Sequence, residues 1–440
     1  MQPAPSSTPA VLQPRTVALI LFVILAIYGV ETHARRRVLS PPGTLGDQSA
    51  YLAYARHLYE TNYTVTEDRN RMPVYPFLLS LIYRPDLTED QFLHRAQVFN
   101  VNLSIALLVA LFFIFRRFFV SLAALALVAA TAFGVFLYRA PNVQTEVLFY
   151  FISFCGFVLL LRLLFHRVWW MAILAGGTMG VAHLTKGSVL PGLAIWVVTF
   201  AAQIVWCARH ANWNDVLRRV GMLLAVIITF FAVIFPYILT SKRIYGAWFY
   251  NVNSTFVMWC DSSTEAYEFL EANDKDHWRA LPPEQLPSFS KYRREHSVEQ
   301  ITGRLARGLG KLAKQNAVPI GYYKFMVAFA VASAVLFFRQ RDNSRRLLSG
   351  EPFAVIFCLL FFGAYAALYA WYDLIANDTR FVLSIFLPGL FVAALFVFRI
   401  GEGRLIQIFG RRWPFPNFFA GLLFALATID AVYNARFLLR

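Results

Sequence analysis

Long apolar runs recur along this chain and leave few folds open to it. They lie near residues 12–30, 98–115, 120–138, 145–163, 169–185, 188–207, 220–239, 319–338, 352–371, 381–398 and 415–433. A helix that crosses a hydrocarbon core takes about 20 apolar residues. Lipid offers the backbone no hydrogen-bond partner, so a spanning segment is either a helix or a strand of a closed barrel. Barrel strands alternate over about ten residues, whereas these runs are continuous. The sequence therefore predicts an all-α polytopic membrane protein with about eleven transmembrane helices. Composition agrees. Hydrophobic residues make up 58% of the 440 and charged residues 15%, where soluble domains have about 45–50% and about 25%. A soluble enzyme, a disordered chain and a fibrous repeat are excluded. The first run is short enough for a signal peptide. However, Thr32-His33-Ala34 makes a poor cleavage site and Arg35-Arg36-Arg37 follows at once, so a retained anchor is expected.

The net charge of +16 would suit nucleic acid in a soluble protein. In a membrane protein, basic residues gather in cytoplasmic loops and meet anionic lipid, so membrane lipids are the expected partner and nucleic acid is not. One set of short loops holds 15 arginines, among them Arg116, Arg162, Arg209, Arg341, Arg345, Arg404 and Arg412. The opposite short loops hold three basic residues, Arg139, Lys186 and Arg380. The first set is then cytoplasmic. Two long segments, 31–97 and 240–318, fall on the outer side, and loops this long usually carry function. Within the second, Val298, Ile301, Leu305, Leu309 and Leu312 recur at helical spacing with Arg304, Arg307, Lys311 and Lys314 between them. That pattern predicts a basic amphipathic helix, lying on the membrane surface or packed on a small core of the loop itself. The four cysteines form no CxxC motif, and no disulfide framework or zinc site is indicated.

Ionisable residues collect at the predicted outer ends of the spans. Asp47 stands where an N-cap belongs, before a helix with Tyr51, Tyr54, Ala55 and Leu58. It either caps that helix or does chemistry. The stretch Arg71-Met72-Pro73-Val74-Tyr75-Pro76 precedes a short apolar run and suggests a rigid return of the chain to the membrane surface. Glu146 opens the fourth span, Lys186 joins the fifth to the sixth, and Asp378 and Arg380 precede the tenth. Charges at membrane depth tend to be functional, whereas charges at span ends can reach water. Two acids and two bases on one side suit a site for an anionic ligand. Nucleotide-binding, zinc-protease and serine-hydrolase motifs are absent, and no inner loop could house a nucleotide-binding domain. Lone carboxylates could hold a divalent cation without a motif.

Together these pieces resemble the GT-C class of membrane glycosyltransferases, in particular glycosyltransferase family 39. That family includes the protein O-mannosyltransferases and the bacterial aminoarabinose transferase. The resemblance rests on Gly46-Asp47-x-x-x-Tyr51-x-x-x-Ala55, Arg71-x-Pro73-x-Tyr75-Pro76, Thr145-Glu146-x-Leu148, Leu184-x-Lys186-Gly187-Ser188 and Asp378-Thr379-Arg380-Phe381 with Pro388. It covers most of the chain in layout and implies one transmembrane glycosyltransferase domain over residues 1–440. It implies a polyprenyl-phosphate-linked sugar as donor, used at the outer face of a bacterial inner membrane. It makes Asp47 the general base on an acceptor hydroxyl. Lys186 and Arg380 become the holders of the lipid phosphate, and Glu146, Asp378, Arg71 and Tyr75 further substrate-binding residues. Gln48 stands where the protein mannosyltransferases have the second acid of an Asp-Glu pair, and their luminal sugar-binding domain has no counterpart here. The implied acceptor is therefore a glycan or a lipid. The alternative to this reading is a secondary transporter for an anionic solute, which should show inverted repeats and helices broken at mid-membrane. No repeat is visible.

Overall fold

The structure is a computed structural model that describes residues 12–39, 46–64, 70–210, 213–272, 281–282, 284–376, 378–408 and 410–438. Helix α1 (Pro14–Leu39) leads to two short helices, α2 (Asp47–Glu60) and α3 (Val74–Ser80). Then come α4 (Glu89–Arg116), α5 (Ser121–Thr131), a π-helical turn (Ala132–Phe136) and α6 (Leu137–Arg139). The central bundle continues with α7 (Glu146–Phe165), α8 (Trp169–Thr185), α9 (Leu190–His210) and α10 (Trp213–Tyr245). A long connection carries α11 (Val252–Thr255), α12 (Ser263–Ala272), α13 (Phe289–Glu295) and α14 (Val298–Asn316). The last part comprises α15 (Tyr323–Arg339), α16 (Arg341–Gly350), α17 (Pro352–Tyr372), α18 (Thr379–Leu383), α19 (Phe386–Ile400) and α20 (Phe415–Ala435).

Among the described residues, eight helices are long and apolar enough to cross a membrane, or nine if the bent pair α15–α16 forms one span. The chain is thus a helical multi-pass membrane protein, with fewer full-length spans than the eleven expected. Every predicted run holds a helix, but α8 has 17 residues and α19 has 15, short of the roughly 20 that a hydrocarbon core takes. The run 381–398 is shortened because the chain turns at Ser384–Ile385. The Tyr369 hydroxyl is hydrogen-bonded to Ser384 there, and Pro388 falls in the first turn of α19, where its missing N–H costs nothing. Elsewhere helices outrun their apolar stretches. α1 continues through Thr32-His33-Ala34 to Leu39, and α10 spans 33 residues.

Successive long helices alternate in direction, so their connections divide between two ends. Among the described residues, those of 46–64, 70–89, 139–146, 185–187, 246–272, 284–322, 372–376 and 378–386 share one end with the close of α20. Cross-connections confirm it: Asn251 donates to the Asn70 carbonyl, Tyr372 to that of Asn253, and Arg35 to the Asn434 side chain. Between the ends lies one aromatic-rich core, with Phe391 edge-on to Phe118 and Phe154 and Phe157 against Phe357 and Phe361. Small residues permit close approach of α8 and α10. A Cβ on Gly176 or Gly180 of α8 would lie 2.4 Å from the Val226 carbonyl or 2.7 Å from Val233 of α10.

The fold is all-α as expected, with one small hairpin added, and the basic amphipathic helix is present with a different face packed. A hairpin of β1 (Leu405–Ile408) and β2 (Arg411–Pro414) joins α19 to α20. Leu405-Ile406-Gln407-Ile408 is rich in strand-forming residues, and Gly410 turns the chain with φ at 75°. The basic helix is present as α14, started by a Ser297–Gln300 capping box. It packs on the end of α17, where a Cβ on Gly308 would lie 1.9 Å from the Ala370 carbonyl. Arg304, expected on the polar side, is buried beneath α14 with its guanidinium 4.1 Å from the Trp371 ring centroid. Val298 and Leu309, expected on the packed side, are exposed. The small Gly308 rather than the leucine stripe decides which face approaches α17.

Candidate active site

Asp47 is the first residue of α2 and not its cap. Gly46 holds the N-cap position at φ 48°, a conformation that favours glycine. The Asp47 carboxylate is left to bind two guanidiniums. Arg71 Nη2 donates to Oδ1 at 3.0 Å, and Arg380 Nη1 donates to Oδ2 at 2.6 Å. The Arg71 guanidinium also lies 5.4 Å from the Tyr51 ring centroid, and Tyr51 meets the buried Tyr75 edge-on at 5.4 Å. The expected return of the chain after Arg71 is α3, which buries Tyr75 and Leu79. Gln48 holds α2 in place: its buried Oε1 accepts the Val143 N–H at 2.7 Å.

Glu146 opens α7 and is only 2% exposed. Lys186 Nζ donates to its Oε1 at 3.1 Å, and Arg380 Nη1 lies 3.9 Å from the same oxygen. Thr145 ties this helix start to the end of α8 by donating to the Thr185 carbonyl at 3.2 Å. Lys186 sits between two aromatic rings, 5.8 Å from the Phe149 centroid and 5.2 Å from that of Phe381. Asp378 caps α18 by accepting the Arg380 N–H at 2.8 Å, and its other oxygen lies 2.9 Å from Arg380 Nε. Tyr150 fixes the same turn through a 2.6 Å bond to the Arg380 carbonyl.

Asp47, Glu146, Lys186, Asp378, Arg380 and Arg71 are thus joined by direct ion pairs, with Tyr75 behind Tyr51. Sequence reasoning passed over Arg139. Its Nη2 donates to Thr379 Oγ1 at 2.6 Å and lies 3.4 Å from Asp378 Oδ1. The signal was present, because Arg139, Lys186 and Arg380 are the three basic residues of the basic-poor short loops. All three converge here. Burial raises the Asp47 carboxyl, but the Arg380 and Arg71 guanidiniums more than reverse this and hold it below its ordinary value. Burial weakens the charge of Arg380, and Glu146, Asp47 and Asp378 together raise its pKa above that of a free arginine. Both groups are charged at neutral pH.

A narrow cleft opens beside the cluster and runs into the bundle. Phe149, Phe157, Val189, Phe361, Tyr365 and Pro388 line it, and its enclosed volume is small, about 20 Å³. Phe149 lines the cleft and lies 5.8 Å from Lys186 Nζ, so the Lys186 charge stands near an apolar cleft. Among the described residues no group of three or more His, Cys, Asp or Glu side chains is placed to hold a metal ion. The four cysteines are free thiols.

No known family model, curated protein or solved structure matches the chain. What the site can do is read from its own geometry: cations preset for an anion, a carboxylate among them, and apolar space alongside.

Proposed function

We propose that this protein is a glycosyltransferase that moves a sugar from a polyprenyl-phosphate donor to a hydroxyl of a glycan or lipid acceptor. The observation that carries the reading is the cluster of Lys186 and Arg380 around Glu146, with Lys186 near the cleft residue Phe149 and Asp47 hydrogen-bonded to Arg380 at 2.6 Å. The aromatic lining of the cleft suits contact with the first isoprenoid unit, for which the cleft must widen, and the cations suit the phosphate. The acceptor oxygen attacks the anomeric carbon as the bond from that carbon to the phosphate oxygen breaks. Asp47 takes the hydroxyl proton, and polyprenyl phosphate leaves with the bonding pair. Lys186 and Arg380 hold the negative charge as it grows, in a setting partly shielded from water. A positioned carboxylate base typically contributes about 10²–10⁴-fold. One carboxylate suffices for a single displacement with inversion. Arg380 must exchange Asp47 for the donor phosphate, and that exchange releases the base when substrate arrives. Glu146 holds Lys186 in place.

The preference of arginine for cytoplasmic loops puts this site at the outer face, in a bacterial inner membrane by the resemblance above. A cysteine at Ser263 would label from outside the cell and one at Asn343 would not; the reverse pattern removes this placement. The deciding experiment on activity is the membrane-lipid inventory of cells with and without the protein. Loss should leave glycosyl-phosphoryl polyprenol unconsumed, and an unchanged inventory counts against the reading. The alternative, a secondary transporter for an anionic solute, has one observation on its side. Lys324, at the start of α15, and the fully buried Asp430 form an ion pair near the same end of the bundle as the Asp47 cluster, and buried ionisable groups often mark solute paths. Uptake of an anionic solute into liposomes, without sugar transfer, would favour it.

A further inference from the structure

At the end of the bundle opposite the Asp47 cluster, two connections carry arginines left without carboxylate partners. α15 turns into α16 through 106°, so α16 lies across the direction of the span. α19 gives way to the β1–β2 hairpin, and β2 runs straight into α20. Arg404 hydrogen-bonds the Gln340 side chain and joins the two connections into one shelf. The shelf holds Arg339, Arg341, Arg345, Arg346, Arg399, Arg404, Arg411 and Arg412 against Asp342, Glu351 and Glu402, with no lysine. All eight arginines are exposed. Among the described residues none of them forms an ion pair, whereas the Asp47 cluster pairs its cations internally.

Apolar groups are set among these charges. Phe338 is 78% exposed, Leu405 53% and Trp413 47%. The register puts Trp413 opposite Ile406 and Arg411 opposite Ile408, so aromatic, aliphatic and cationic side chains share one face of the hairpin. A lone two-stranded hairpin is marginally stable in water at best. At the boundary of a bilayer the same hairpin is well matched. Tryptophan settles at headgroup level, the guanidinium fork fits phosphate oxygens, and aliphatic side chains enter the acyl layer.

We infer that this arginine shelf binds the phosphate headgroups of anionic phospholipid in the leaflet it faces. The arginines are spread along two connections and do not converge on one pocket, which suits a row of headgroups better than a single free phosphate. The interleaved apolar side chains and the direct attachment to span ends favour lipid over nucleic acid. The inference does not depend on sugar transfer.

The test uses the full-length protein in vesicles of phosphatidylglycerol and phosphatidylcholine in equal parts, with retained lipid read by native mass spectrometry. The parent should retain phosphatidylglycerol in clear preference. The variant R345Q/R346Q/R411Q/R412Q should lose about tenfold or more of that preference, and R345Q/R346Q and R411Q/R412Q should each lose part of it. The pair R209Q/R218Q, in the last turn of α9 and the second turn of α10, should keep it, and melting curves should show all variants folded. Unchanged retention in the quadruple variant or in both doubles overturns the inference. So does equal competition by inorganic phosphate, or a preference for an RNA oligonucleotide over the lipid.

Discussion

Asp47 Oδ2 and Arg380 Nη1 lie 2.6 Å apart although 333 positions separate them in the chain. The contact closes the bundle between its first connection and its last broken helix. It also gives Asp47 a role that a helix cap would not have.

That role separates two outcomes for Asp47→Asn. If the carboxylate takes the acceptor proton, sugar transfer falls at least about a hundredfold. The folded state should lose only about 1 kcal/mol, since half-exposed ion pairs contribute little and Arg380 keeps Asp378. Transfer in liposomes beside a melting curve measures both, and near-parental transfer would remove Asp47 from catalysis.

The same pairing fixes a pH dependence. The folded Asp47 carboxyl titrates below its ordinary value, which is about 3.9. Its contribution to stability is complete above that value and disappears as pH falls through the lower folded value. Melting temperature should drop in that acid window more steeply for the parent than for Asp47→Asn. The acid limb of kcat/KM, which reports the free enzyme, should also lie below the ordinary carboxyl range. A limb near pH 6 would contradict the pairing.

Lys186→Ala should impair folding as well as transfer. It leaves Glu146 buried, with Arg380 at 3.9 Å as its nearest cation. Stranding one partner of a buried pair costs about 3–5 kcal/mol. Adding Glu146→Gln should recover much of that loss while transfer stays low. If the double variant melts no higher than Lys186→Ala, the pair is not what holds this end of α7 to α8.

Asp430 is fully buried and accepts from Lys324, the Tyr138 hydroxyl and the Gly321 N–H. Asp430→Asn should destabilise by about 3 kcal/mol or more, because it strands the Lys324 charge. Lys324→Met with Asp430→Leu should cost less than the single change. A double-mutant cycle on thermal unfolding reads the coupling, and strict additivity would mean that the pair does not interact.

Gly308→Ala puts a Cβ against the Ala370 carbonyl, 1.9 Å away before any shift. A backbone oxygen cannot yield as a side chain can, so α14 should lift from α17 at a cost of about 1–3 kcal/mol. Proteolysis within 298–316 should quicken, and unchanged protection would mean that the helices slide to absorb the methyl group.

By itself the sequence determined the helices, their alternating ends and the end at which the paired charges gather. Those follow from local quantities: a run of apolar residues must be helical in lipid, and arginine distributes itself between the loops by sign. Asp47, Glu146, Lys186 and Arg380 were legible for the same reason, being charges beside runs that otherwise exclude charge. Tertiary structure alone decided who pairs with whom. It took Asp47 from a cap to a salt bridge, brought Arg139 onto Asp378, buried Arg304 beneath α14 and set Lys324 against Asp430. It also turned α19 into a short helix behind a bend and folded 405–414 into a hairpin. The physical reason is range. Helix formation depends on residues three or four apart, whereas an ion pair in a low-dielectric bundle depends on whichever side chain packing brings within about 4 Å. Packing in turn depends on close approaches such as Gly176 to Val226 and Gly308 to Ala370, which no hydrophobic period along a single helix contains.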